Sequence, residues 1–317
     1  RARLQYAYAL LRGKDLETEE FSDERREEQF AILKSALTDT IDLQNWHDFF
    51  KVIQQAGFRG RHMITSRLTL IYTYVLYLIG KCQYKVDNHD LSLVISRWFF
   101  MANVTQRYTG QSPETQMERD FADLRIIDSG SQYVDWLKEK IDAEITEDFW
   151  SITIPNRLIS ASANSPFLNA YHAALNILDA KALFSRKKVS DLLDPSIKAK
   201  KSAVERHHLF PRNYLKSIGV EDYRDINQIA NFAFVEWDDN IKIGDKSPAE
   251  YVPKYLERFS NEDIHKMYYW HALPDKWEHM DYFEFLMARR KSMAKVIKNG
   301  YEELIGRSNA TKISKTE

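Results

Sequence analysis

Ala203–Lys246 reads AVERHHLFPRNYLKSIGVEDYRDINQIANFAFVEWDDNIKIGDK, and it is the stretch in which reactive side chains fall into a catalytic order. The adjacent pair His207 and His208 is followed at once by Leu209-Phe210-Pro211. The run Ile229-Ala230-Asn231-Phe232-Ala233-Phe234-Val235-Glu236 alternates with a period of two and is rich in aromatic residues, which predicts a strand. Asp238 or Asp239 can cap a short helix after it, with Asn240 in the first turn. The expected local plan is strand, long loop, strand, helix. Pro211 cannot donate to a ladder and biases Phe210 toward an extended form, so the first strand is expected to end near the histidines.

These residue types suit hydrolysis of a phosphodiester. That reaction needs an activated water, a cation to offset charge developing on the phosphate, and a route for the leaving oxygen's proton. A neutral histidine takes a proton from water near pH 7, and a nitrogen or oxygen ligand one residue away can hold a divalent ion. Neighbours on a strand face opposite ways, so His207 and His208 serve one place only if the strand ends there. Structural readings stand beside these. Two histidines can meet by chance in a basic loop, a buried Asn231 can simply close a hairpin, and Lys242 on an exposed helix end can simply face solvent.

Around this core the chain has 317 residues, 44% hydrophobic and 29% charged, enough for one large or two ordinary domains. The net charge is −1, so a nucleic-acid surface has to be a local patch. One such patch surrounds the histidines, where Lys198, Lys200, Lys201, Arg206, Arg212 and Lys216 face only Glu205. The single cysteine, Cys82, excludes a disulfide framework and a cysteine-based zinc site. With no signal peptide in view, this points to the cytoplasm. The longest apolar run, Leu68–Ile79, has 12 residues against the roughly 20 that span a bilayer, and reads as a buried helix. The chain begins at Arg1 inside a helix-like run, Leu4–Leu11, with no initiator Met, and reads as a piece of a longer protein.

Residues 1–195 are expected to form an all-α domain. Phe21–Leu37, Trp46–Gln55, Thr65–Gly80 and Asp90–Tyr108 carry apolar residues at spacings of three and four, and Ser112-Pro113 and Ser165-Pro166 mark helix starts. Two further basic patches, Arg59, Arg61, His62 and Arg67 beside Gly57 and Gly60, and Arg186-Lys187-Lys188, are either backbone-phosphate contacts or solvated loop ends. After the core, Ser247-Pro248-Ala249-Glu250 reads as a capping box opening a helix to about Phe259. Another helix starts at Ser260, and Trp277–Gly300 reads as a long amphipathic helix. Residues 308–317 are polar and expected to be mobile. His47, His62, His89, His172, His265, His271 and His279 have no ligand spacing and read as structural or surface groups.

The core H-H-x-x-P…A-N-F-x-F-V…D-D-N resembles that of the HNH, or ββα-metal, nucleases, D-H-I-x-P…G-N-L-x-L-L…x-x-N. His208 stands on the invariant histidine, Asn231 follows it by 23 residues, and Asn240 follows Asn231 by nine. Among the branches, the chain is most similar to the GmrSD-type and SspE-like DNA-restriction proteins of bacterial phage defence. Their helical region carries an R-Y-[ST]-G-x-x-x-[ST] turn, matched here at Arg107 and Tyr108, while Trp98, Phe99, Phe100 and Tyr108 read foremost as core packing. They end in a W…Y-x-x-F-L…R-R segment, similar to the one closing on Arg289 and Arg290, an arginine pair suited to packing or to DNA backbone.

The resemblance implies a mainly α protein: a helical domain at 1–195, a small ββα-metal nuclease core with C-terminal helices at 196–307, and the tail. It implies a DNA endonuclease in which His208 is the general base and Asn231 braces the loop that orients it. His207 and Asn240 would ligate a divalent metal. Some relatives have an aspartate and a histidine at those two positions; here the set lacks a carboxylate, which admits Mn²⁺, Ni²⁺ or Zn²⁺ beside Mg²⁺. DNA, including modified DNA, would lie along Arg206, Arg212, Lys242, Lys200 and Lys201. The relatives also carry an upstream nucleotide-hydrolysing domain with a D-G-Q-Q-R motif, which these residues lack. The alternatives are a non-catalytic nucleic-acid-binding or assembly module that keeps the ββα plan, and a helical protein with an incidental histidine pair.

Overall fold

The structure is a computed structural model that describes residues 21–110, 112–193 and 204–313. The expected helix at Leu4–Leu11 lies outside these residues. The protein is mainly helical, with a two-stranded sheet.

The first part begins with α1 (Asp23–Ile41), α2 (Leu43–Gln55), α3 (Arg67–Leu78) and α4 (Asn88–Val104). Ser22, Asp42, Ser66 and Asp87 cap them, each accepting a hydrogen bond from a first-turn N–H that would otherwise lack a partner. There follow α5 (Pro113–Asp123), α6 (Gly130–Glu144), α7 (Ile154–Arg157), α8 (Pro166–Ile177) and α9 (Val189–Leu192). Ser112 and Ser165 take the cap positions before α5 and α8, but neither side chain makes the capping bond; Pro at the first position carries those starts. The run Leu68–Ile79 is a buried helix, as its composition predicts, with Tyr72, Tyr74, Leu76 and Tyr77 inside.

Helix α4 is the rod on which α3, α6 and α8 pack, and Trp98, Phe99, Phe100 and Tyr108 are core residues. Helix α1 forms over the stretch whose spacing predicts it. Its apolar residues recur at helical spacing, yet Phe30, Ile32, Leu37 and Ile41 are exposed and none of its side chains is buried.

The second part contains β1 (Val204–His208), α10 (Arg212–Ser217), α11 (Tyr223–Ile226), β2 (Phe232–Glu236) and α12 (Trp237–Ile243). The strands pair antiparallel, and Leu183 from the loop after α8 adds a parallel bridge to Val235. The connection expected as a loop thus carries two short helices. The second strand is shorter than its alternation predicts, because Ile229–Asn231 is a 3-10 turn. Asn231 causes the difference: its N–H bonds back to Gln228 O at 2.8 Å, closing the turn before the ladder starts. Asp238 and Asp239 do not cap α12 either. They lie in its first turn, beside the positive end of the helix dipole, and Glu236 holds the cap position.

The C-terminal part contains α13 (Pro248–Leu256), α14 (Asn261–Trp270) and α15 (Tyr282–Ile313). The Ser247–Glu250 capping box forms as read. The helix expected from Trp277 begins only at Tyr282, because Asp281 Oδ1 accepts from the N–H groups of Phe283 and Glu284 and so caps the helix there. Trp277 instead sits in a separate 3-10 turn, buried against Phe210 and Phe285. The backbone of 308–313 continues α15, in place of the polar tail expected from 308; 314–317 lie outside the described residues. Helix α15 lies on α8 at Gly300, where a Cβ would stand 2.6 Å from that of Ala174, so only glycine lets the helices approach this closely. One core cluster runs from Phe49 to Leu304 and is shared by all parts. Among the described residues no helix is long and apolar enough to cross a membrane.

Candidate functional site

Strand register sets the histidines. His207 stands opposite Ala233 and His208 opposite Phe232, at the last positions of β1. The alternation of the strand then sends the two rings to different partners.

His207 is 3% exposed and faces α12 and α13. Its Nδ1 lies 2.7 Å from Asn240 Oδ1, and its ring meets Tyr251 edge-on at 5.8 Å. Its Nε2 is buried with no hydrogen-bond partner. Burial pushes its pKa down to about 4; the Asn240 hydrogen bond opposes this and the nearby His208 adds to it. The ring is therefore neutral at pH 7, the state in which imidazole can be a ligand.

His208 is half-buried, with Nε2 3.1 Å from Asn227 Oδ1 and its ring 4.4 Å from that of Phe232. The orientation of Asn227 is fixed, because its Nδ2 donates to Tyr223 O at 2.8 Å. An amide oxygen only accepts, so His208 Nε2–H donates, and the basic lone pair of the neutral ring is on Nδ1.

Asn231 is fully buried and acts on backbone. Its Oδ1 accepts from Phe210 N–H at 2.9 Å, and its Nδ2 donates to Phe210 O at 3.1 Å and to Ile226 O at 3.0 Å. It therefore ties the chain leaving the histidines to the chain entering β2, without touching His208. Tyr251 adds a bond to Leu209 O at 2.7 Å, and Arg289 one to Ala230 O at 2.6 Å. Arg289 is wholly buried and reaches His271 O as well, while Arg290 reaches Gln228 Oε1, so this pair packs.

Two ligand atoms held at about 2.1 Å by one cation, at right angles, are about 3 Å apart. The 2.7 Å between His207 Nδ1 and Asn240 Oδ1 fits this spacing. Asn240 Oδ1 only accepts, so His207 Nδ1–H donates to it; for Nδ1 to be a ligand the proton would have to move to Nε2, which is buried without a hydrogen-bond partner among the described residues and so lacks the outer bond that usually braces a ligating histidine. Among the described residues no group of three or more His, Cys, Asp and Glu side chains could hold a metal, so water and phosphate oxygens would complete the shell.

Of the expected DNA contacts, Arg212 opens α10 and Lys242 lies on α12 two residues past Asn240; both are exposed. Lys200 and Lys201 lie outside the described residues, as does the side chain of Arg206 on β1. In the Arg186-Lys187-Lys188 patch, Lys187 pairs with Glu236 and Lys188 with Asp179, so part of its charge is already balanced. Sequence reasoning missed Asn227 and Tyr251. Asn227 follows a short helix that Asp222 caps, a local signal that marks a turn but not which side chain the turn delivers. No family model, no curated protein and no solved structure matches this chain.

Proposed function

We propose that the chain is a metal-dependent DNA endonuclease of the HNH type, working in a bacterial restriction system against phage. The observation that carries this reading is the 2.7 Å approach of His207 Nδ1 to Asn240 Oδ1 beside a second histidine whose basic nitrogen is not the one bonded to Asn227. His207 and Asn240 would hold the divalent ion, Mg²⁺ or a softer Mn²⁺, Ni²⁺ or Zn²⁺. When bound, such an ion offsets the charge that develops on the phosphate. His208 takes a proton from the attacking water at Nδ1, and Asn227 keeps the ring in the tautomer that allows it. Asn231 holds the loop after His208 in place. Arg212 and Lys242 meet the DNA backbone, and the products carry a 5′ phosphate and a 3′ hydroxyl. The restriction role and an upstream nucleotide-hydrolysing domain in the full-length protein rest on the motif resemblance alone, and the cytoplasmic location on the single cysteine and the absence of a signal peptide from these residues.

The donor set favours a second reading. With no carboxylate on the ion, the same fold serves as a nucleic-acid-binding or assembly module without cleavage. Plasmid cleavage in Mg²⁺, in Mn²⁺ and in EDTA, on modified and unmodified DNA, separates the two. The nuclease reading expects nicked or linear product in at least one ion and none in EDTA. Intact plasmid in every ion, with DNA still bound, supports the binding module.

A further inference from the structure

We propose that a cleft between α2 and the start of α3 binds a nucleotide unit, with the base on an apolar floor and the phosphate on arginines. The cleft has a volume of about 570 Å³, within the usual range for small-ligand sites. Phe50, Ile53, Phe58, Ile64 and Leu70 form its apolar surface, and Arg59, Arg61 and Arg67 its charge. No acid lines it. Among the described residues none of these three arginines forms an ion pair, and Arg59 Nε is buried without a hydrogen-bond partner.

That condition sets the cleft apart from its neighbours. A cleft of equal volume beside α4 and α6 mixes Asp87, Asp90 and Asp135 with Lys85, Arg97 and Lys138, and balances itself. Arg97, Arg107 and Arg258 each have a carboxylate partner. Three guanidinium groups without a carboxylate partner among the described residues, around an apolar floor, call for an anion with an apolar body. Guanidinium groups match phosphate oxygens in pairs, and Phe50, 44% exposed, presents a ring on which a base can stack.

The loop that carries Arg59 and Arg61 is anchored from behind. Gly57 has φ +87°, and a Cβ there would lie 2.2 Å from Ala173 O on α8, so no other residue fits. Asn176 Nδ2 donates to Gly57 O at 2.7 Å and fixes the same turn. The site is thereby preformed on the helical part and does not depend on the role given to His207 and His208. Its ligand can be a free nucleotide or one residue of a DNA strand, since both present a base and a phosphate.

The test measures binding of the full chain in EDTA, so that no cleavage contributes. The probes are deoxynucleoside monophosphates, a labelled single-stranded oligonucleotide, pyrophosphate and decanoate. Saturable binding of the monophosphates assigns a free nucleotide, and binding of the oligonucleotide alone assigns a strand residue. In either case the Arg61→Glu/Arg67→Glu double variant should weaken binding about tenfold or more. Phe50→Leu, which keeps apolar volume but removes the ring, should weaken it about fivefold or more at an unchanged melting temperature. Three results overturn the proposal: no binding of either nucleotide probe, nucleotide binding that Phe50→Leu leaves unchanged, or binding of pyrophosphate or decanoate as tight as that of the nucleotides.

Discussion

The turn at Arg107 and the strand end at His207 are both buried polar clusters, and they are closed in opposite ways. Arg107 grips Asp120 with two hydrogen bonds, at 2.6 and 3.1 Å, and reaches Glu144 at 2.6 Å. Tyr108 and Gln116 complete the shell of the same carboxylate. The ionic side chains are 6% and 2% exposed, and each charge is met inside the protein. At His207 and His208 the hydrogen bonds go to the neutral amides of Asn240 and Asn227, and His207 Nε2 is buried without a hydrogen-bond partner among the described residues. The difference teaches where capacity lies. A guanidinium already met by carboxylates has nothing left to offer a ligand, whereas the His207 ring, kept unprotonated by burial, is in the state that the proposed cation would need.

The largest effect should come from opening the closed cluster. Asp120→Ala leaves Arg107 buried beside Glu144 alone, and a loss of about 3–5 kcal/mol of unfolding free energy in urea is expected. Nuclease activity per folded molecule should not change. A loss under about 1 kcal/mol would mean that the pair does not hold the turn.

Acid should act on the histidines next. His207 and His271 both have pKa values pushed down to about 4 by burial, below the ordinary 6.5. Between pH 6.5 and 4 the unfolded chain binds protons that these rings refuse when folded, so their contribution is full above pH 6.5 and is lost as pH falls toward 4. At the limit each costs about 3 kcal/mol. His271 is satisfied by Lys181 O at 2.9 Å and touches no part of the proposed site. His271→Gln should therefore remove a share of the acid sensitivity between pH 7 and 4.5 while leaving metal dependence alone. An unchanged slope in the variant contradicts the burial account.

The smallest effect is expected at the exposed cations. Arg212→Ala and Lys242→Ala should each reduce the salt dependence of DNA binding by about one phosphate contact, across all sequences. A variant that alters sequence preference instead would place that side chain on a base.

The helices of the first part were legible because apolar residues at spacings of three and four, and proline at the starts of α5 and α8, signal locally, and local signals survive folding. The strand at Phe232–Glu236 and the Ser247 capping box were legible for the same reason. The 3-10 turn at Ile229–Asn231 was not, because Asn231 bonds to Phe210, 21 residues away, and a period of two cannot report such a contact. The start of α15 moved for a similar cause: Trp277 is drawn into the core by Phe210. At the candidate site, the juxtaposition of His207 and Asn240 was implied by the motif resemblance. The pairing of His208 with Asn227 depends on a short helix inside a segment read as loop. The exposure of α1 had no sequence signal, since an apolar stripe does not say whether anything covers it.

The most direct measurement compares the cleavage rate of His208→Ala with that of the parent chain, at saturating divalent ion, with DNA affinity and melting temperature read on the same samples. The account expects cleavage about 10²–10⁴-fold slower with affinity and melting temperature nearly unchanged, because only the proton acceptor is lost. A His208→Ala protein that cuts at the parent rate contradicts it.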